Sequence, residues 1–464
     1  MKSIMHCRLL GCVLVLFAFA GAADGAGRPN VILIMADDVS AREFGVYGHP
    51  EHRTPNLDRM AREGVWFRTA WATPICSPSR AELMTGRYAH RTRWYHNNMK
   101  PEGTAGLFAR EHLTIGAMMR AAGYRTAIAG KWQLPGEPPD YGFDEHFLWE
   151  DVPSFPFDGQ REGPSMAVPG RAARYWHPSI VRNGTPVKTG PDDYGPDLFA
   201  AFADDFAGRG GDRPFFLYYA MLLPHISWDF ERNRHDYLPP PALDAAGNRI
   251  PGKRSPPTLR ANVEYIDALI GRIEAALKQR GLLENTIILF TSDNGTAGYG
   301  KGSVHQERGP RVPFIAYGPG VVKPTGTRNE LVDLSDVLPT LADLAGHTLP
   351  ADYPLDGRSF AWILRGGTGT PRDHVFSPYA TRKLVRTPEW ILDGQDRLWF
   401  CGDKRDESGY EDRTKATDAA SRAALKQLRA IAAQYPIPPE GDPLREAYRQ
   451  FEQRQRKQKK EKAD

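Results

Sequence analysis

Short runs of consecutive apolar residues alternate along the chain with segments of helical periodicity. Residues 31–35 (VILIM) form an unbroken apolar run, which is typical of a strand buried on both faces of a sheet. The same pattern predicts further strands at residues 126–129, 215–220, 286–290 and 313–317. Residues 262–280, 107–122 and 331–345 instead carry apolar side chains at helical spacing. This alternation predicts an α/β fold, with a mostly parallel central sheet covered by helices on both faces.

Polar side chains follow four of the predicted strands directly. They are Asp37 and Asp38 after the first strand, Lys131 after the second, His225 after the third, and Asp293 and Asn294 after the fourth. Ligands of open parallel sheets bind beyond the carboxyl ends of the strands. We therefore expect these side chains to converge on one functional site.

Four of these residues form an all-oxygen donor set, namely Asp37, Asp38, Asp293 and Asn294. Carboxylate and amide oxygens suit a hard divalent cation, so we expect Ca²⁺, with Mg²⁺ as the second choice. Either pair alone is equally typical of helix caps and turns. Their combination with Cys76 and Lys131 favours a metal site.

The remainder of the chain has weaker periodicity. Residues 150–258 are rich in Pro, Gly, Arg and aromatic residues, which indicates long loops around one short helix and one strand. From about Asp373, two short antiparallel strands (374–379 and 390–400) and a helix (416–435) predict a smaller C-terminal α+β subdomain. We assign residues 28–370 to a catalytic domain, 371–450 to this subdomain and 451–464 to a basic solvated tail.

Composition narrows the class of protein. The chain has 464 residues with a formal net charge of +4, and the excess positive charge lies at its two ends. A near-neutral body argues against a nucleic-acid-binding protein. Residues 1–20 combine a basic start, an apolar run and a small-x-small motif, and are predicted to be a signal peptide. No later stretch is long enough to span a membrane, so we expect an exported protein that is periplasmic or secreted.

Four cysteines are present, and two of them, Cys76 and Cys401, lie outside the predicted signal peptide. In an exported protein, two cysteines usually form one disulfide bond. The neighbours of Cys76 indicate a different role. The segment from Cys76 to Arg87 reads CSPSRAELMTGR and resembles the sulfatase signature C-x-P-S-R followed by T-G-R.

The resemblance extends over residues 28–346. It includes the segments T-P-N-L-D (54–58), G-K-W (130–132), P-H (224–225), S-D-N-G (292–295), K-G (301–302) and R-V-P (311–313), all in the family's order. The chain therefore resembles the type I, formylglycine-dependent sulfatases of the alkaline phosphatase superfamily. This resemblance implies an alkaline-phosphatase-like fold.

The resemblance also implies roles for individual residues. Cys76 would be oxidised to formylglycine by a formylglycine-generating enzyme, and one hydroxyl of its hydrate would join the metal and attack sulfur. The second hydroxyl would then expel sulfate and restore the aldehyde. Arg80 would hold the formylglycine oxygen, Lys131 and Lys301 would bind sulfate oxygens, and His225 would protonate the leaving oxygen.

One position departs from the family pattern. Many members read G-K-W-H-L-G, whereas this chain has Gln133 in place of the His. A Gln side chain does not accept a proton at neutral pH. His90 or His96 is a possible substitute. For a glycan pocket, the sequence offers three tryptophans and three arginines as candidates: Trp94, Trp176, Trp228, Arg93, Arg171 and Arg174.

These observations predict an exported sulfatase that hydrolyses sulfate monoesters, with a sulfated carbohydrate as the expected substrate. Two alternatives stay open at this point. A phosphonate or phosphate ester hydrolase of the same superfamily would use a similar cationic site. A non-catalytic protein that binds sulfated glycans is compatible with Gln133, but it would have no need for Cys76.

Overall fold

The computed structural model describes residues 27–100, 108–149, 174–229, 234–404 and 407–461. Its strands, numbered in chain order, are β1 (Asn30–Ala36), β2 (Val65–Phe67), β3 (Ala70–Trp71), β4 (Arg125–Lys131), β5 (Glu145–Trp149), β6 (Ile180–Arg182), β7 (Thr185–Val187), β8 (Phe215–Ala220), β9 (Ser227–Asp229), β10 (Arg234–Asp236), β11 (Pro241–Leu243), β12 (Arg249–Arg254), β13 (Thr286–Ser292), β14 (Arg311–Val312), β15 (Phe314–Tyr317), β16 (Gly326–Arg328), β17 (Val332–Asp333), β18 (Val375–Tyr379), β19 (Arg382–Arg386), β20 (Trp390–Leu392), β21 (Leu398–Phe400) and β22 (Glu411–Asp412). Its α-helices are α1 (Pro55–Glu63), α2 (Cys76–Thr85), α3 (Ala89–Thr92), α4 (Phe108–Glu111), α5 (Ile115–Ala121), α6 (Gly195–Gly208), α7 (Leu259–Gln279), α8 (Val337–Leu344), α9 (Ala361–Leu364), α10 (Ala419–Ala433) and α11 (Pro443–Glu461).

A ten-stranded sheet forms the centre of the molecule, in the order β16-β2-β15-β13-β1-β8-β4-β5-β6-β7. The five strands β13, β1, β8, β4 and β5 run parallel to one another. Antiparallel strands flank this block, with β15 paired to β13 and β6 paired to β5. The predicted α/β class with a mostly parallel central sheet is confirmed.

Two hydrophobic cores cover the two faces of the sheet. Along β1, Val31, Leu33 and Met35 pack into one core, which α2, α5 and α8 cover. Ile32 and Ile34 point to the opposite face, into the core formed with α1, α6 and α7. Successive strand residues face opposite sides, so a strand covered on both sides must be apolar throughout. This explains the unbroken run at residues 31–35.

Local capping decides where several helices begin and end. The Thr258 hydroxyl accepts a hydrogen bond from the Ala261 N–H (3.2 Å) at the start of α7, and Gly281 adopts a positive φ just beyond its end. The single helix predicted at residues 107–122 is instead two helices, α4 and α5. Thr114 caps α5 by accepting from the Ala117 N–H (3.3 Å), which interrupts the helix.

The segment predicted as long loops at residues 150–258 contains more regular structure than expected. Outside residues 150–173 and 230–233, which are not described, it holds α6, β8 and three short antiparallel pairs: β6–β7, β9–β10 and β11–β12. The predicted helix at residues 331–345 is also shorter, because Asp333 ends β17 and caps the following turn by accepting from the Ser335 N–H (3.0 Å).

The C-terminal part forms a separate five-stranded antiparallel sheet, β18 to β22, against which α10 packs. The strand predicted at residues 390–400 is a hairpin, because the Asp393 carboxylate accepts from the Gln395 and Arg397 N–H groups and turns the chain. The smaller C-terminal α+β subdomain is confirmed. The exposed helix α11 extends across the boundary predicted at residue 451.

The predicted signal peptide at residues 1–20 lies outside the described residues. Within the described part, no helix combines the length and apolar composition that a membrane crossing requires.

Candidate functional site

The predicted site residues meet at the carboxyl edge of the parallel strands. β1 and β13 are neighbours in register, with Ala36 opposite Ser292, so the residues that follow them emerge side by side. Asp38 has a positive φ of 65°, and its backbone N–H donates to Oδ1 of Asp293 (3.0 Å). The carboxylates after the two strands are therefore held together by the backbone itself.

Cys76 joins this group from the first turn of α2. One donor atom from each of Asp37, Asp38, Cys76 and Asp293 lies within 4.8 Å of the others, and all four residues are buried. Gly86, with a φ of 66°, ends α2 two turns later. The whole helix is buried, so its polar side chains must find partners inside the protein.

The donor set fits a hard divalent cation. Nδ2 of Asn294 donates to Oδ1 of Asp38 (2.9 Å), while the buried Oδ1 of Asn294 has no hydrogen-bond partner among the described residues. Burial and the neighbouring charge of Asp37 raise the pKa of Asp293 to about 7. A cation held by these oxygens would offset both costs, because it would occupy the unused amide oxygen and favour the ionised carboxylate.

Three cationic side chains surround the carboxylates. Nη2 of Arg80 donates to Asp293 (2.7 Å) and lies 3.6 Å from Asp37, and Nζ of Lys131 donates to both oxygens of Asp37 (2.9 and 2.7 Å). Burial alone would raise the pKa of Asp37, but the charges of Lys131 and Arg80 outweigh it and hold that pKa well below its usual range. Asp37 is therefore ionised in the folded protein.

The third cation, Lys301, connects the carboxylates to His225. Its Nζ donates to Oδ2 of Asp38 (2.7 Å) and lies 3.1 Å from Nε2 of His225. Nδ1 of His225 lies 2.5 Å from the carbonyl oxygen of Ile226, so Nδ1 carries a proton and Nε2 accepts from the lysine. Burial, followed by the charge of Arg174, lowers the pKa of His225 to about 3.

Two residues of the site were not predicted from the sequence. Oδ1 of Asn97 accepts from the Ser77 N–H (3.2 Å), which turns Nδ2 towards Sγ of Cys76 (3.7 Å). The Tyr218 hydroxyl lies 3.5 Å from Nη1 of Arg80. Tyr218 could have been suspected, because a hydroxyl in a fully buried strand needs a partner. Asn97 follows no periodic pattern that would have distinguished it.

The proposed substitutes for the family histidine lie elsewhere. His96 is packed among Tyr379, Tyr448 and Phe451, and His90 lies beside Asp356 and Tyr435. Within the described part of the chain, no hydrogen bond joins either imidazole to Cys76. Gln133 adopts a positive φ of 58°, and its Oε1 is buried without a described hydrogen-bond partner.

The glycan-pocket candidates divide into two groups. Trp94 is buried against Phe108, and Arg93 pairs with Asp442 (2.9 Å), so neither faces the site. Trp176 is partly buried beneath Arg254, and Arg174 lies over the Trp149 ring. Arg171 and the side chain of Trp228 are not described. Cys76 and Cys401 are both free thiols, so the disulfide alternative was wrong.

The chain is similar in sequence to known sulfatases. A family model described as Sulfatase matches residues 29–347. Human arylsulfatase A is 32% identical over 391 residues, which cover 78% of this chain and 73% of that protein. N-acetylgalactosamine-6-sulfatase from Canis lupus familiaris is 32% identical over 382 residues, which cover 76% of this chain and 69% of that protein.

Solved structures agree with these relatives. The crystal structure of Ps i-CgsB in complex with k-i-k-neocarrahexaose aligns with a TM-score of 0.70 at 25% identity. The alignment covers 89% of this chain and 94% of that one. The similarity therefore includes the C-terminal subdomain as well as the region matched by the family model.

Proposed function

Because this chain belongs to the sulfatase family, we propose that it hydrolyses sulfate monoesters of a carbohydrate, with a formylglycine derived from Cys76 as its nucleophile. The observation that carries the proposal is the position of Cys76, buried against three carboxylates and surrounded by Arg80, Lys131 and Lys301. The carbohydrate is supported by a relative named for N-acetylgalactosamine 6-sulfate and by a structural neighbour bound to a neocarrahexaose.

The family implies that Cys76 is converted before the enzyme is active, which makes a formylglycine-generating enzyme a maturation partner. The hydrated aldehyde would supply one hydroxyl that attacks sulfur and a second that expels sulfate and restores the aldehyde. Asn97 is placed to orient this side chain, since its amide is fixed by Ser77 and directed at the end of residue 76.

We propose Ca²⁺ as the resident cation, held by Asp37, Asp38, Asp293 and Asn294, with Mg²⁺ as the second choice. It would supply positive charge that withdraws electron density from the reacting oxygens. The charges of the three carboxylates and of Arg80, Lys131 and Lys301 balance one another, so a divalent cation would leave the site positive. A positive site attracts an anionic ester.

The remaining side chains bind the sulfate group, hold residue 76 and transfer a proton. Lys131 and Lys301 hold the sulfate group through charged hydrogen bonds, and Arg80 holds the formylglycine oxygen of residue 76. The leaving oxygen of the ester would lie at Nε2 of His225, which takes a proton from the Lys301 ammonium and passes it to that oxygen. Gln133 donates or accepts hydrogen bonds but takes no proton, so a group other than a histidine at this position assists sulfate expulsion.

A phosphonate or phosphate ester hydrolase is the second candidate, because a positive site of this kind also accepts phosphate. Parallel rates on 4-nitrophenyl sulfate and on the monoester 4-nitrophenyl phenylphosphonate decide between them, and we expect sulfate to be preferred. The non-catalytic alternative is not retained, since the family is enzymatic and the full set from Asp37 to Asn294 is assembled.

We further propose export to the periplasm or beyond the cell, with residues 1–20 as the signal peptide. Determination of the amino terminus of protein purified from the exported fraction tests this. A chain that retains residues 1–20 and stays in the cytosol would contradict it.

Peptide mass spectrometry tests the nucleophile. Conversion of the thiol to an aldehyde lowers the mass of the residue by about 18 Da, a covalent change that the peptide containing Cys76 would report. The Cys76→Ser variant should be nearly inactive, because serine has no second hydroxyl with which to expel sulfate. Full activity of protein that carries only unmodified Cys76 would overturn the mechanism.

A further inference from the structure

Arg174 lies at the same edge of the sheet as the proposed site but has no part in the mechanism above. Its guanidinium carbon is 4.3 Å from the centre of the Trp149 ring. Trp149 ends β5 and lies opposite Lys131 in the neighbouring strand. Adjacent strands are about 4.8 Å apart, so Arg174 lies over the strand next to the one that supplies Lys131.

Contacts of the neighbouring residue, Tyr175, place Arg174 near the chain segment that contains His225. The neighbouring residue, Tyr175, donates from its hydroxyl to the carbonyl oxygens of Leu222 and His225 (2.8 and 2.5 Å). The same hydroxyl is a hydrogen-bond partner of the Arg174 side chain. The Tyr175 hydroxyl therefore links Arg174 to the backbone carbonyl of His225.

Only part of the Arg174 guanidinium is matched by an acceptor, the Tyr175 hydroxyl. Nε and Nη1 of Arg174 are shielded from solvent and have no hydrogen-bond partner among the residues that the structure describes. Arg80, Lys131 and Lys301 each donate to an aspartate, and the exposed Arg93 donates to Asp442. Shielded donor groups without acceptors are costly, and a carboxylate or sulfate would match the planar pair formed by Nε and Nη1.

The chemistry at His225 identifies where such an anion would come from. The imidazole protonates the leaving oxygen, so the groups beside it contact the alcohol part of the substrate. We propose that Arg174 binds a second anionic group of the substrate, a sulfate or a carboxylate close to the ester that is cleaved. The favoured substrates are thus dianionic sugars, such as disulfated or uronate-containing units. This inference rests on the proposed function, because it takes the cleaved ester from there.

Inhibition constants of sugars against hydrolysis of 4-nitrophenyl sulfate test the proposal. One pair is N-acetylglucosamine 6-sulfate and glucosamine 2-N,6-O-disulfate. The other is N-acetylgalactosamine 6-sulfate, alone and linked to a uronate. The first pair reports a second sulfate and the second pair reports a carboxylate. Each ratio of constants compares two ligands on one protein, so a general change in activity cancels.

We expect wild-type protein to bind the dianionic member of at least one pair about 10- to 100-fold more tightly, as charged hydrogen bonds allow. Arg174→Gln should bring that ratio close to one. Arg174→Lys, which keeps the charge but loses the planar fork, should give an intermediate value. Arg93→Gln is the matched control, and it should retain the wild-type ratio.

Two results would overturn the proposal: a wild-type ratio near one in both pairs, including a failure of every sugar to inhibit, or an unchanged ratio in Arg174→Gln. Melting temperatures show whether each variant is folded. If Arg174→Gln is not folded, the ratio is measured on Arg174→Lys instead. If wild-type protein does not hydrolyse 4-nitrophenyl sulfate, the proposed function fails. Calorimetric titration of the same sugars then decides the role of Arg174 on its own.

Discussion

Asp293 and Asp333 form a natural pair for testing the proposed cation. Both carboxyls are fully buried, and burial raises the pKa of each to about 7. Each also pairs with a buried arginine, Asp293 with Arg80 (2.7 Å) and Asp333 with Arg372 (3.4 Å). Only Asp293 belongs to the donor cluster that contains Cys76, and this is the difference that the experiment uses.

Substitution of either aspartate by asparagine should destabilise the protein to a similar extent. Removal of one partner from a buried ion pair costs about 3–5 kcal/mol, and we expect the lower end because burial already disfavours each carboxylate. Asp293→Asn should also lose the stabilisation that a bound cation gives to the folded protein. A ligand at 100 times its dissociation constant contributes about 2.7 kcal/mol, which corresponds to roughly 3 °C in melting temperature for a chain of this size.

Thermal unfolding with and without a chelator, followed by titration with Ca²⁺ or Mg²⁺, separates these terms. Wild-type protein and Asp333→Asn should both melt lower after chelation and recover with added cation. Asp293→Asn should melt at the same temperature in all three conditions and should be inactive. Equal chelator responses of the two variants, or no response in the wild type, would refute the assignment of the cation to this cluster.

Three further outcomes are expected. His225→Gln should reduce turnover of an alkyl sulfate by more than about 100-fold, but of an activated aryl sulfate far less, because a phenolate leaves without a proton; equal losses on both would exclude a proton-donating role. Asn97→Ala should lower the unfolding free energy by about 1 kcal/mol, through loss of the acceptor at the start of α2, and should lower kcat with little change in KM; an unchanged kcat would remove Asn97 from the site. Burial lowers the pKa of His96 to about 4, so its imidazole is neutral in the folded protein but titrates near 6.5 when unfolded, and stability should fall as pH drops from 6.5 towards 4. His96→Gln should flatten this slope in denaturant titrations, and an unchanged slope would assign the pH dependence to other groups.

The elements that were predicted correctly are those whose pattern follows directly from burial. β1 must be apolar at every position because both of its faces are covered, and α7 shows its buried side through regular spacing. The strand ends then locate Asp37 and Asp293 without any knowledge of long-range contacts. By contrast, the break between α4 and α5 depends on one threonine cap, which competes with an otherwise helical pattern.

The site contacts that escaped prediction come from chain segments brought together only by the fold. Asn97 reaches Cys76 across a turn with no periodicity, and the charge of Arg174 acts on His225 from a segment 51 residues earlier, a separation that no local pattern encodes. The sequence contains Arg80 and Asp293, but it does not show that their side chains form an ion pair. Contacts of this kind depend on tertiary packing, which local propensity does not describe.

Buried ion pairs join the catalytic domain to the C-terminal subdomain across the boundary near residue 371. Arg372 donates to Asp336 (2.8 Å) and Arg386 donates to Glu307 (2.6 Å), all inside the protein. A chain trimmed after residue 370 would lose Arg372 and Arg386, and removal of one partner from a buried ion pair costs about 3–5 kcal/mol. The catalytic domain therefore depends on the C-terminal sheet. Deletion, exchange or proteolytic cleavage of this sheet should make the catalytic domain insoluble.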